Sequence, residues 1–242
     1  MRYRRTANSL ALLAAQLALG EGSALKHVRI WFSKTGTARY ISHLDLNRCM
    51  DRAMHKAKIP LWYTEGFHPH AFMTFALPLS LFMDGRRESM DIKLEEEMNR
   101  EELIARLNEA LPPDIRIFDV TEPVMKPGKI AYASFVAWAE PEGEPPEALL
   151  AQMQALLRRE EIVVKKRTKS GVKEMNIQPF FTDMKLTVEN GKVKMDMILP
   201  AGSTENVNPA LFLEALKEYQ GCTPYVRMER TGLYDAAMTP FA

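Results

Sequence analysis

The 242-residue chain has only two cysteines, Cys49 and Cys222. Two thiols exclude a disulfide framework, a four-cysteine zinc site and the three thiolates of a cysteine-ligated iron–sulfur cluster, and they fit a reducing compartment. An apolar run long enough to span a bilayer, ~20 residues, is also missing. The Ala/Leu-rich stretch from Asn8 to Gly20 is shorter than that and is interrupted by Gln16. It follows a basic start and imitates a secretory signal, but no small-x-small cleavage site precedes Lys26. Residues 1–25 therefore read as an N-terminal extension of a cytoplasmic protein with no membrane association. Neither a Gly-x-Ser-x-Gly elbow nor a His-Glu-x-x-His helix occurs, and Ala201-Gly-Ser-Thr204, a possible phosphate cradle, lacks the Walker lysine. Net charge is almost absent too: 32 Lys+Arg against 31 Asp+Glu leaves +1, which neither demands nor forbids an anionic partner.

What is present is a soluble, core-forming composition, 46% hydrophobic and 26% charged. From Lys26 the pattern is regular. His27–Phe32 alternates as a strand, and residues 33–38 carry turn chemistry. Ser42 and Asp45 form a capping box ahead of a helix whose stripe is Leu46, Cys49, Met50, Ala53 and Ala57, stopped by Pro60. An apolar stretch from Phe72 to Leu81, a polar turn at Asp84-Gly85 and an alternating Ser89–Leu94 follow. A helix capped by Asn99 and a strand over Ile115–Val120 complete the order β-α-β-β-α-β, the ferredoxin-like unit. A similar series then repeats: a strand over Ile130–Ala139, a helix after Pro145-Pro146, a strand over Ile162–Arg167, a hairpin turning at Asn190-Gly191, a helix with Asn208 as N-cap and Pro209 as first residue, and a strand over Tyr225–Arg230. The expected fold class is α+β, two tandem ferredoxin-like halves over residues 26–124 and 129–242, the second decorated with an extra strand or loop. Fifteen methionines at buried-looking positions read as core filler.

Charge is segregated along the chain. Residues 26–58 hold eight Lys/Arg against two Asp, and residues 84–109 hold nine acids against five bases. Residues 165–173 hold five bases and no acid. This pattern predicts a phosphate-tracking surface for RNA from Lys34, Arg39, Ser42, Arg48, Arg52, Lys56, Lys165, Lys166 and Arg167. The turn around Gly36, at a helix N-terminus, is a candidate anion seat. Phe67, Phe72, Trp31 and Trp62 are candidate stacking partners for unpaired bases. Two basic regions far apart in sequence make sense together only if folding gathers them beside one cleft.

Four of the five histidines fall between positions 43 and 70. His68-Pro-His70, with Asp45, Gly66 and Phe67, defines a candidate site loop. His43, His68 and His70, with Asp45 or Glu65, are a candidate zinc or iron set, although their spacing matches no compact zinc motif. His43 alone is a candidate general acid/base for RNA cleavage. A histidine that merely stiffens its loop by hydrogen bonding accounts for the same residues without chemistry.

The stretch Phe32-Ser-Lys-Thr-Gly-Thr-Ala-Arg-Tyr-Ile-Ser-His-Leu-Asp45, followed by Glu65-Gly-Phe-His-Pro-His70, Pro78-Leu79 and Arg230-Thr-Gly-Leu-Tyr234, resembles the radical-SAM-linked family of uncharacterised bacterial proteins. The resemblance runs from about residue 26 to the C-terminus. It implies a radical-SAM enzyme as partner and carries over no established activity; separately, no cofactor is expected for the chain. On fold alone, two tandem halves with a histidine near the first helix are similar to the repeat-associated RNA-processing endonucleases. The expected function is an accessory module that binds transfer or ribosomal RNA and presents it to a radical-SAM enzyme. A metal-independent ribonuclease using His43, or a protein-interaction scaffold, are the alternatives.

Overall fold

The computed structural model describes residues 25–168, 171–202 and 205–242. The N-terminal extension through residue 24 and residues 169–170 lie outside the described residues, as do Ser203 and Thr204 of the possible phosphate cradle. The first run of elements is β1 (Leu25–Lys34), a 3-10 turn (Gly36–Tyr40), α1 (His43–Lys56), β2 (Met73–Phe75), β3 (Met83–Met98), α2 (Arg100–Ala110) and β4 (Ile115–Thr121). The second run is β5 (Tyr132–Glu140), α3 (Pro146–Leu157), β6 (Val163–Thr168), β7 (Gly171–Asn176), α4 (Gln178–Phe181), β8 (Lys185–Glu189), β9 (Lys192–Pro200), α5 (Ala210–Gln220) and β10 (Tyr225–Tyr234). The molecule is thus mixed α+β.

Its centre is one 8-stranded, mostly antiparallel sheet ordered β4-β1-β3-β10-β5-β9-β8, with β2 also on β3. The long β3 makes this continuity possible. Its middle, Met90 to Ile92, pairs with β2, and its first three residues pair in parallel with β10, Met83 opposite Met228 through Gly85 opposite Arg230. The two runs therefore lie side by side in one sheet rather than stacked face to face. The core forms two clusters, the second of which also takes in Trp31, Ala76, Leu79 and Met83 of the first run. Val28, Ile30, Phe32, Met90, Ile92 and Leu94 point at the apolar stripes of α1 and α2, while Ala133, Phe135, Ala137, Met195 and Leu199 pack with α3 and α5.

Several local expectations hold for their stated reasons. Ser42 occupies the N-cap of α1 and its hydroxyl accepts from the Asp45 N–H at 3.1 Å, while Asn99 caps α2 through the Glu102 N–H. Asn190 and Gly191 both take positive φ, 52° and 73°, as a two-residue hairpin turn requires. Others are corrected. Asp84 and Gly85 are not a turn but the buried start of β3. The strand continues there because β10 supplies the partner backbone and three ion pairs satisfy the charges. The Ile162–Arg167 strand exists, yet β6 pairs only with β7 in a separate hairpin outside the main sheet. Pro209, not Asn208, is the N-cap of α5, and the Asn208 side chain accepts from the Ala210 N–H at 3.0 Å.

Candidate functional site

The junction of the two runs is built around charge. Arg230 on β10 donates to Glu88 on β3 at 3.0 and 2.5 Å, with both side chains 4% exposed. Arg227 pairs with buried Asp84 at 2.9 Å and Arg86 with Glu229 at 2.7 Å, so three ion pairs cross the joint. A buried carboxylate survives only when paired and hydrogen-bonded, and Arg230 meets both conditions for Glu88. Its guanidinium also reaches the carbonyls of Leu77 and Pro78, at 2.8 and 3.1 Å, and so clamps the 77–82 loop.

Register shows which face of the sheet this pair occupies. Glu88 lies opposite Phe32, a residue of the α1/α2 core, and Arg230 lies opposite Phe135, a residue of the α3/α5 core. Directly opposed residues share a face, so both helix pairs cover the same face and the Glu88–Arg230 bridge marks the seam between them. A cleft of about 490 Å³ opens along that seam, lined by Pro78, Ser80, Lys165, Asn208, Glu214 and Arg230 among others.

Sequence-derived candidates distribute unevenly around this seam. His43, the first residue of α1, sets its ring edge-on to Phe75 at 5.0 Å. Burial, reinforced by the charge of Arg230, lowers its pKa, and its Nδ1 is buried without a hydrogen-bond partner. Lys165 lines the seam cleft from β6; the side chains of Lys166 and Arg167 lie outside the described residues. Arg48, Arg52 and Lys56 project from α1 as exposed residues, Arg48 paired with Asp45 at 3.3 Å. Arg52 and Lys56 line a separate shallow depression with His55 and with Ala110 of α2. The expectation of one shared cleft is corrected: the two basic regions lie on the same helix-bearing face, but Lys165 lines one cavity and Arg52 and Lys56 another, because they sit on different runs of the sheet.

Lys34 is a correction. It is 1% exposed, donates to the Met83 carbonyl at 3.4 Å, and faces Asp84 and Glu88, so no phosphate reaches it. Burial lowers its pKa against the pull of those two carboxylates. Trp31 is likewise buried and donates to Thr121, which removes it from stacking. The anion seat at Gly36 is real but taken. The Asp114 carboxylate accepts from the Thr37 N–H at 2.8 Å and from the Thr37 hydroxyl, and these bonds lower its pKa. At the start of α1 the Ser42 hydroxyl donates to Asp45 at 2.7 Å, and this bond leads the causes that lower the Asp45 pKa. Arg39 is held by the Gly36 carbonyl at 2.9 Å and lies over the Tyr40 ring.

The histidine loop stands apart from the seam. Gly66, Phe67, His68 and His70 are all exposed, and His70 bonds Thr64 at 3.0 Å. Among the described residues no group of three or more His, Cys, Asp or Glu side chains is arranged to hold a metal ion, so the His43–His68–His70 set does not assemble. At the possible phosphate cradle the Ala201 and Gly202 N–H groups are already bound, to Ala131 and Glu205. Both cysteines are free, and burial raises both thiol pKa values. No helix among the described residues is long and apolar enough to cross a membrane. Sequence reasoning missed Glu88, Asp114 and the clamping role of Arg230. The available signal was acids set beside Met83 and Met90 in an otherwise strand-like stretch.

Residues 27–209 match the family model described as "Uncharacterized protein conserved in bacteria (DUF2344)". No curated protein matches the sequence. Among solved structures, a chain of "Crystal Structure of a Cbf5-Nop10-Gar1 Complex" aligns at 11% identity with a TM-score of 0.44. The alignment covers 85% of this chain and 48% of that one, so the chain spans about half the length of the structure it matches.

Proposed function

The chain belongs to this family of uncharacterised proteins conserved in bacteria, and from that premise we propose that it is an RNA-binding accessory module serving a radical-SAM enzyme. Each run of elements is read as a ferredoxin-like unit, the β6–β7 hairpin being the decoration of the second. The observation that carries the RNA reading is the common face. Exposed Arg52 and Lys56, which have no carboxylate partner among the described residues, lie on the same side of the sheet as the seam cleft holding Lys165. Each phosphate neutralised by such a cation releases counterions, so affinity falls steeply with salt. The radical-SAM partner rests on the motif resemblance over Phe32–Asp45 and Glu65–His70.

Fluorescence anisotropy with bulk transfer RNA across a potassium chloride series tests the proposal. Expected is binding whose log Kd rises linearly with log salt, with a shallower slope for Arg52→Ala/Lys56→Ala, by about 1.4–1.8 for two lost phosphate contacts. Absent or salt-indifferent binding overturns it. Co-purification of a radical-SAM enzyme that survives nuclease treatment tests the partner. One observation favours a second reading, a His43-dependent ribonuclease: among the described residues Nδ1 has no hydrogen-bond partner, on a ring whose pKa is lowered by burial and by Arg230. Equal cleavage of labelled RNA by wild type and His43→Ala removes it.

A further inference from the structure

One exposed cluster remains unexplained by folding or by the seam. Beyond the Arg230 clamp, the 77–82 loop ends at Phe82, which is 62% exposed and holds φ at +65°. A left-handed backbone is strained on a bulky residue, and a ring left in solvent recovers little of that strain by burial. The conformation is held by the Phe82 N–H donating to the Arg39 carbonyl at 2.9 Å. It sets the Phe82 ring edge-on to Tyr40, 5.9 Å between centroids, and Tyr40 is itself 57% exposed. The Arg39 guanidinium lies 5.5 Å over the Tyr40 ring. Ser80, two residues before Phe82, lines the seam cleft with Lys165. A fixed aromatic pair with a cation at its side thus sits on the loop whose Ser80 reaches the proposed phosphate surface.

We infer that Phe82, braced by Tyr40 and flanked by Arg39, is a stacking platform for an unpaired base, and that the chain selects single-stranded over duplex RNA. The inference rests on the RNA reading above. Every base offers a π face to such a ring, whereas a duplex keeps its bases stacked inside and presents only backbone. The cationic surroundings favour a phosphate chain over an apolar protein segment as occupant. Arg39 is bound to the Gly36 carbonyl and not to a carboxylate, which leaves its charge available to a neighbouring phosphate.

The test measures anisotropy of a labelled 12-nucleotide single strand and of the matching 12-base-pair duplex, with full-length wild type, Phe82→Gly and Phe82→Trp. Phe82→Gly removes the ring and relieves the backbone strain, so an unchanged or raised melting temperature certifies its fold. Expected is about tenfold weaker single-strand binding for Phe82→Gly, an unchanged salt slope, unchanged duplex binding, and retention by Phe82→Trp. Wild type that binds both RNAs while Phe82→Gly matches it for each overturns the platform and leaves the RNA reading standing. That is also the outcome if the cluster docks a protein instead. Wild type that binds neither RNA at low salt overturns both.

Discussion

Arg230 is the residue on which most depends. Truncating one partner of a buried ion pair leaves the other charge without compensation, so Arg230→Met lowers stability by about 3–5 kcal/mol in urea unfolding. The double change Arg230→Met/Glu88→Gln recovers a large part of that loss, because no unpaired ion then remains; equal losses for the single and double variants refute the pairing argument. His43 contributes a pH dependence of stability just below neutrality. Its folded pKa lies below its unfolded one, so the unfolded chain takes up the proton first as pH falls. Its contribution is therefore fully present above about pH 6.5 and is lost as pH falls towards the folded value. His43→Gln should flatten the stability profile across that window, and an identical acid limb in both proteins contradicts the assignment.

At the level of elements, two glycines matter for different reasons. Gly191 at φ 73° serves the β8–β9 turn, so Gly191→Ala costs about 1–2 kcal/mol through backbone strain alone. Gly85 on β3 is a matter of space. A Cβ there would come within 2.5 Å of Glu88 Cγ, on a side chain pinned by Arg230. Gly85→Ala is expected to break the Glu88–Arg230 pair and to loosen the 77–82 loop, read as faster amide exchange at Leu81 and Phe82; protection unchanged from wild type defeats that expectation. Ser42→Ala removes the α1 cap and costs about 1 kcal/mol, a modest penalty that leaves RNA affinity unchanged because the hydroxyl is spent on the helix.

For the whole molecule, the joint between β3 and β10 is narrow, three residue pairs, yet three ion pairs cross it. Trp31, Ala76, Leu79 and Met83 of the first run belong to the second apolar cluster, so these ion pairs and that apolar contact together couple the two runs. Calorimetry should give one transition for wild type and two for Arg230→Met/Arg227→Met, and a single transition in the variant places the coupling elsewhere. The positions of the basic regions belong to this scale as well. Their shared face follows from β3 lending its first three residues to β10, which turns both helix pairs the same way.

Local chemistry alone determined much of this protein. Period-two and helical spacing located the strands and helices, Ser42 and Asn99 marked helix starts, and Asn190-Gly191 marked a turn, because each depends on neighbours a few residues away. Pairing across long distances was not legible in the same way. Asp84-Gly85 read as a turn because a charged residue beside glycine is polar in isolation; Arg227, 143 positions later, and the buried Lys34 make that aspartate tolerable inside a strand. Lys34 and Trp31 read as surface ligands for the same reason, since burial is a property of what packs above them. Asp114 filling the Gly36 anion seat, and Arg230 fixing the loop that displays Phe82, were decided by tertiary structure. The energies involved are electrostatic and depend on distances that spacing along a chain does not encode.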